Sequence, residues 1–280
     1  MNTLISANEL HALDPHDVLI VDCRYEMADL ERGPREYAKA HIPGAVYADL
    51  NRDLSDLSKQ GVGRHPLPDA DAFSRVLSGW GWTPQTRVVA YDDAGGALAA
   101  SRLWWMIRLV GGNAAVLDGG IKAWIAAGFG LTDARTLRTP SRVDVAFDSS
   151  QIVMTEELQR LLDADEILLL DARAAARYRG ENESIDPVAG HVPGARSQPF
   201  SENLDTNGAF KSAAELRERF AGKLAGYSPH DVVHMCGSGV TACHNLLAME
   251  HAGLAGSRLY APSWSGWIAG GKRAVAAGAG

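Results

Sequence analysis

The chain has 280 residues, 46% of them hydrophobic, enough for one large core or two domains of ordinary size. Lys and Arg number 27 against 34 Asp and Glu, a formal charge of −7 without long like-charge blocks, which argues against a nucleic-acid surface but leaves local basic groups for a small anion. Three cysteines without Cys-x-x-Cys spacing exclude a disulfide scaffold, and the most apolar stretch, LAASRLWWMIRLVGG, is interrupted by Arg102 and Arg108 and makes no membrane helix.

The N-terminal MNTLISANELHALDPHDVLI has no basic region ahead of an apolar stretch and a small-residue cleavage site, so a soluble, cytoplasmic protein with no membrane partner is expected. The first strong strand signal is VLIVD (18–22), an apolar run that ends in Asp-x-Arg through Asp22 and Arg24. HIPGA (41–45) follows, and then a polar loop, VYADLNRDLSDLSKQGVGRHPLP. Phe73, Val76 and Leu77 have helical spacing ahead of a second strand, RVVAY (87–91), and GGIKAWIAAG (119–128) closes the series.

The same series then recurs in the same order at a nearly constant offset. TEELQRLLDAD, with Thr155 as its expected cap, predicts a helix before ILLLD (167–171), again ending in Asp-x-Arg through Asp171 and Arg173. HVPGA (191–195) matches HIPGA. Leu216 and Phe220 mark a helix before the strand of DVVHMCGSG (231–239), which matches RVVAYDDAGG, and PSWSGWIAGG (262–271) matches GGIKAWIAAG. Four ordered matches identify a duplication, with repeats longer than solenoid units. Strands alternating with helices predict an α/β fold of two tandem domains, each with a mainly parallel sheet flanked by helices. The domains are expected over 1–130 and 152–280. The aperiodic stretch 131–151 serves as linker, and the tail GGKRAVAAGAG is loosely held beyond Trp267.

Residues 232–247, VVHMCGSGVTACHNLL, carry the chemistry. The strand delivers Cys236 to the carboxyl edge of the sheet, where ligands of parallel α/β folds bind. Gly237 and Gly239 permit a tight loop, and a helix is expected from Val240 to Met249. The backbone N–H groups of Gly237, Ser238, Gly239, Val240 and Thr241 are then placed to surround the sulfur, and with the helix N-terminus they favour an anion, so Cys236 is expected to act as a thiolate nucleophile. The competing reading is a small buried cysteine filling the strand end. Asp92 occupies the matching position in the first repeat, so only the second repeat is competent for sulfur chemistry.

Cys243 lies inside the following helix, and Cys23 is matched by Ala172, so both are read as packing residues. His234 and His244 flank the cysteines, but strand alternation and spacing do not make a zinc site, and no metal and no cofactor are expected. A cysteine phosphatase has the same kind of loop but needs an arginine where this chain has Ala242. His41 and His191, like Arg24 and Arg173, occupy equivalent places in both repeats and are read as structural.

The two Asp-x-Arg strand ends, HIPGA and HVPGA, the loop CGSGVTA and the late SWSGW together resemble the tandem-domain rhodanese family, which includes thiosulfate and 3-mercaptopyruvate sulfurtransferases. The resemblance covers almost the whole chain. It implies a silent first domain, a cleft between the domains, and sulfur transfer through a persulfide on Cys236. The donor is then 3-mercaptopyruvate or thiosulfate, and the acceptor cyanide, a small thiol or reduced thioredoxin. A thiosulfate-preferring enzyme and a sulfur carrier loaded by a protein partner are the alternatives. Thiosulfate enzymes of the family carry charges directly after the cysteine, whereas Gly237 and Ser238 match the mercaptopyruvate pattern, with Ser238 polarising the donor or relaying a proton, unless its hydroxyl caps the next helix.

Arg177 aligns with a family arginine that binds the donor anion. Arg179 either assists or faces solvent. The second arginine usual in mercaptopyruvate enzymes is missing, since none lies between Arg179 and His191. His65 matches a histidine near the family's cleft, while the usual aspartate aligns with Asn51, leaving Asp53 as a nearby substitute. Trp264 either lines the cleft or packs in the core.

Overall fold

Buried apolar runs set the strands. Every residue of VLIVD (β2, Val18–Asp22) and of LLLD (β7, Leu168–Asp171) is buried, as parallel strands covered on both faces require. The computed structural model describes residues 2–279. Its first series of elements runs β1 (Leu4–Ile5), α1 (Ala7–His11), β2, α2 (Arg32–Lys39), β3 (Val46–Tyr47), α3 (Ala70–Gly79), β4 (Arg87–Tyr91), α4 (Ala99–Leu109), β5 (Ala114–Leu117) and α5 (Gly120–Ala126). The second runs β6 (Ile152–Val153), α6 (Thr155–Asp163), β7, α7 (Ala175–Arg179), β8 (Arg196–Ser197), α8 (Ala213–Leu224), β9 (Val232–Met235), α9 (Ala242–His251), β10 (Arg258–Tyr260) and α10 (Ser263–Trp267).

Each series forms one all-parallel sheet, ordered β1-β5-β4-β2-β3 in the first and β6-β10-β9-β7-β8 in the second. The order is the same in both once equivalent strands are matched, so the repeat seen in the sequence is a repeat of topology. Helix α4 is apolar nearly all round and packs on β4 and β5, while α9 packs on β9 and β10. Ile20, Val89, Leu117 and Trp124 belong to an apolar cluster of the first series, and Leu169, Val233, Trp264 and Trp267 to one of the second.

The chain divides into two compact units that are discontinuous in sequence. Unit 1 comprises residues 1–56, 67–148 and 206–210, and unit 2 comprises 57–66, 149–205 and 211–280. Residues 131–148 run along unit 1 without regular helix. The Ser141 N–H donates to Ser78 O (2.9 Å), the Val145 N–H to Ser74 Oγ (3.0 Å) and the Asp148 N–H to Leu109 O (2.9 Å).

Each unit contains its own copy of one buried motif. Arg24 grips Asp22 and Arg173 grips Asp171, each pair closing to 2.6 Å, and each arginine also donates to a carbonyl before the His-x-Pro-Gly turn, Ala40 O or Gly190 O. His41 and His191 stack on Tyr37 and Tyr178 and bond the backbone oxygens of the same tyrosines. Both histidines are therefore framework.

Two local expectations are corrected. Thr155 does not cap α6: Met154 occupies the cap position, and the Thr155 hydroxyl pairs instead at 3.1 Å with the buried Tyr260 hydroxyl. The tail is fastened rather than loose. The Trp267 indole donates to Ala274 O (2.9 Å), His191 and Ala276 exchange backbone bonds (2.8 and 2.9 Å), and the Gly278 N–H reaches Arg179 O (3.0 Å), while Gly280 lies outside the described residues. Trp124 and Gly130, with His41 and Thr132, make the same clasp in unit 1, so the tail completes a repeated motif. No helix among the described residues is long and apolar enough to cross a membrane.

Full burial pushes the His234 imidazole down to about 3, beside Met249 Sδ at 3.1 Å. The unfolded chain protonates this residue below about pH 6.5, whereas the folded chain keeps it neutral, so the unfolded state binds the extra proton and stability falls as pH drops from about 6.5 towards 3. At about pH 5 this amounts to roughly 2 kcal/mol. His234→Leu should lose less stability than wild type in urea denaturation between about pH 7 and about pH 5, and equal losses would contradict this account.

Candidate active site

Strand β9 ends at Met235 and places Cys236 at the carboxyl edge of the unit 2 sheet, almost fully buried. Its backbone is held on both sides: the Cys236 N–H donates to Ser263 Oγ (3.1 Å), and Cys236 O accepts the Trp264 N–H (2.9 Å). The Gly237 carbonyl accepts the Ser265 N–H (2.9 Å). The loop turns at Gly239, in the left-handed region at φ 78, and the Gly239 N–H donates to Cys236 Sγ at 3.2 Å. Of the loop amides that the sequence places around the sulfur, this is the one bonded to it among the described residues. Val240 and Thr241 instead turn their carbonyls to the N–H groups of Cys243 and His244, and α9 starts at Ala242 rather than Val240.

The equivalent loop in unit 1 shows what this turn is built to hold. Asp92 stands at the end of β4, and its carboxylate accepts N–H bonds from Ala94 (2.9 Å), Gly96 (2.8 Å) and Leu98 (3.1 Å). Burial raises this carboxyl from its ordinary value, against the three amides that lower it. Unit 1 therefore fills this turn with its own carboxyl group, and unit 2 presents a sulfur in the same place.

Ser238 Oγ lies 2.7 Å from His65 Nδ1, with both residues buried. The hydroxyl is thus engaged with His65 and does not cap α9, whose cap position is Thr241 without a side-chain bond. His65 comes from segment 57–66, which belongs to unit 2 although it precedes the unit by many residues in the chain.

Arg177, on the short α7, is bonded through Nε and Nη2 to Glu183 (2.9 to 3.1 Å) and through Nη2 to Asp186 (2.9 Å). A Cβ placed on Gly237 would stand 3.6 and 3.7 Å from its Nη1 and Nη2, so Arg177 borders the sulfur loop. Arg179 instead pairs with the exposed Glu181 at 2.7 Å. Asn51 and Asp53 lie in unit 1 and stabilise a local turn, the Asn51 N–H donating to Asp49 Oδ1 and the Asp49 N–H to Asp53 Oδ2, both at 2.8 Å. Trp264 is a core residue: it is fully buried, its ring lies 4.7 Å from the Arg173 guanidinium, and its indole N–H donates to Val188 O. Cys243 and Cys23 are fully buried, and burial pushes the Cys23 thiol well up.

Ser263, Arg64 and Asp186 also surround the Cys236 loop, and the sequence motifs do not mark them: Ser263 bonds the Cys236 N–H, Arg64 borders Gly237, and Asp186 pairs with Arg64. For Ser263 a signal exists, because its counterpart in the repeat is Gly120. Both positions adopt a left-handed backbone, φ 52 and φ 60, so a serine has taken a glycine's conformation in order to supply an oxygen to Cys236. No three His, Cys, Asp or Glu side chains among the described residues cluster as a metal site.

Comparison with known proteins places this geometry in context. The Rhodanese-like domain family model matches residues 6–127 and 154–270. The chain is 46% identical over 279 residues to a protein of Pseudomonas aeruginosa named "Probable 3-mercaptopyruvate sulfurtransferase", covering 98% of each chain. It is 34% identical to the 3-mercaptopyruvate sulfurtransferase of Mus musculus, covering 89% of this chain and 84% of the other. The solved structure of 3-mercaptopyruvate sulfurtransferase from Leishmania major superposes with a TM-score of 0.86 at 31% identity, covering 95% of this chain and 74% of that one.

Replacing Ser263 separates its two roles. Ser263→Ala leaves the buried Cys236 N–H without its acceptor and keeps the left-handed strain, and should destabilise the fold by about 1–3 kcal/mol. Ser263→Gly loses the same bond but relieves the strain, so it should denature at higher urea than the alanine variant. The reverse order would show that the backbone conformation is not the constraint.

Proposed function

Since this chain belongs to the rhodanese family and is a sulfurtransferase, we propose that it takes sulfur from 3-mercaptopyruvate onto Cys236 and passes it to cyanide, a small thiol or reduced thioredoxin. The observation that carries the choice of donor is the Ser238–His65 hydrogen bond beside the sulfur loop. A mercaptoketone donor needs a proton moved during transfer, and a buried hydroxyl–imidazole pair is suited to move it.

The Cys236 thiolate attacks the donor sulfur, forming the S–S bond of a Cys236 persulfide. The carbon–sulfur bond breaks, and its electron pair passes into the enolate of pyruvate. The proton that leaves the donor thiol travels by way of the Ser238 hydroxyl and His65 to the enolate carbon, giving pyruvate. Charge and atoms balance without any oxidant. In the second half-reaction the acceptor attacks the outer sulfur, leaving as thiocyanate or a new persulfide, and the Cys236 thiolate is restored. The Gly239 N–H, already directed at the sulfur, stabilises the anionic sulfur in both halves. Arg177, beside Gly237, holds the donor's anionic end.

Thiosulfate as donor would load the same sulfur with sulfite as the leaving group and would require no proton. The two donors are therefore separable through Ser238. Incubation with 3-mercaptopyruvate alone should add about 32 Da to Cys236, and Cys236→Ser should transfer no sulfur. Ser238→Ala should lower kcat on 3-mercaptopyruvate by about a hundredfold and affect thiosulfate much less. Full transfer by Cys236→Ser would eliminate the persulfide route. An equal loss on both donors in Ser238→Ala would eliminate the proton relay.

A further inference from the structure

Two guanidinium groups converge on Gly237. A Cβ built at this residue would stand 3.1 Å from Arg64 Nη2, closer than the 3.6 Å to Arg177 Nη1. The two arginines reach the loop from different elements, Arg64 from segment 57–66 and Arg177 from α7, within unit 2. One carboxylate ties them together: Asp186 Oδ1 accepts from Arg64 Nη1 (2.5 Å) and Asp186 Oδ2 from Arg177 Nη2 (2.9 Å). Glu183 holds the remaining edge of Arg177, and the Arg64 backbone N–H is pinned at 2.9 Å to the Oγ of Ser265, the same residue whose N–H supports Gly237 O.

The pairing leaves the inner donors available. A guanidinium has five N–H groups, and the carboxylates engage Arg64 through Nη1 and Arg177 through Nε and Nη2. Arg64 Nη2 and Arg177 Nη1, the groups nearest Gly237, are not used by these pairs. Two like charges this close would repel, and Asp186 and Glu183 offset that repulsion and fix both planes before any ligand arrives. Ordering entropy is thus spent during folding rather than on binding. The missing side chain at 237 matters as well, because any side chain there would fill the space that both guanidiniums border.

We propose that Arg64 is the second guanidinium of the donor site: with Arg177 it receives the carboxylate of a 2-oxo acid donor over Gly237, and Asp186 positions both arginines. The assignment rests on the persulfide reading above and supplies the arginine that the segment between Arg179 and His191 lacks. It places the new group directly beside His65, so one segment delivers both the anion grip and the proton relay.

The test compares two donors that differ only at the recognised group, 3-mercaptopyruvate and mercaptoacetone, in which a methyl replaces the carboxylate. The readout is the ratio of their kcat/KM values in wild type, Arg64→Gln and Asp186→Asn. A charge-assisted pair of this kind corresponds to roughly a tenfold to hundredfold effect, so the ratio should fall by about that factor in Arg64→Gln, mainly through KM for 3-mercaptopyruvate. It should fall in the same direction in Asp186→Asn. Turnover of mercaptoacetone by each variant shows that the variant is folded and its sulfur reactive. An unchanged ratio in Arg64→Gln, or parallel losses on both donors, overturns the assignment of Arg64 alone. A wild-type protein whose Cys236 is loaded by neither donor overturns the donor reading and this proposal with it.

Discussion

The fork between Asp171 and Arg173 is the interaction on which the site depends. Both side chains are shut from water, and the pair closes at 2.6 Å with further bonds from Nε. A buried ion pair adds little net stability, but breaking it leaves an uncompensated charge in the interior, so its geometry is strongly enforced. Arg173 extends this rigidity in two directions. Its guanidinium lies against the Trp264 ring, and the Trp264 backbone N–H holds Cys236 O. Its Nη1 faces Glu183 at 3.6 Å, and Glu183 leads through Arg177 and Asp186 to Arg64. One fork at the end of β7 thereby fixes both the backbone that carries the sulfur and the arginine cluster beside it.

Unit 1 keeps the same frame with a different occupant. Asp22 and Arg24 repeat the fork, and the Ile121 N–H binds Asp92 O as the Trp264 N–H binds Cys236 O. What differs is the residue at the strand end. The Asp92 side chain accepts three amides of its own loop, whereas among the described residues the Cys236 sulfur accepts one loop amide, that of Gly239. The two copies differ at this position and also at its support, where Ser263 stands in place of Gly120.

Legibility in the sequence follows the same division. Strand ends and the paired histidines can be read because each appears twice, and a residue matched by its repeat counterpart is marked as framework. Cys236 was visible by contrast with Asp92, and the framework role of Arg173 by its match to Arg24. Arg64 and Asp186 have no such reference. Their contact joins residues far apart in the chain, neither has a counterpart that flags it, and no periodicity marks a side-chain pair of that separation. The tail reads as loose for a related reason: small residues without periodicity resemble loose chain, but Ala274 and Ala276 act through their backbones.

The discontinuity of the units bears on how such a protein can change by recombination. Segment 57–66 lies in the sequence of the first repeat but in the body of unit 2, and 206–210 makes the reverse exchange, with the Phe210 N–H donating to Asp118 Oδ1. A crossover at the repeat boundary would hand each descendant gene an incomplete module: one would carry the sulfur without His65, the other a sheet without the strand of chain that Asp118 holds. Neither repeat can therefore be cut out at the repeat boundary without taking part of the other unit with it, and the two are tied together as one inherited piece of sequence.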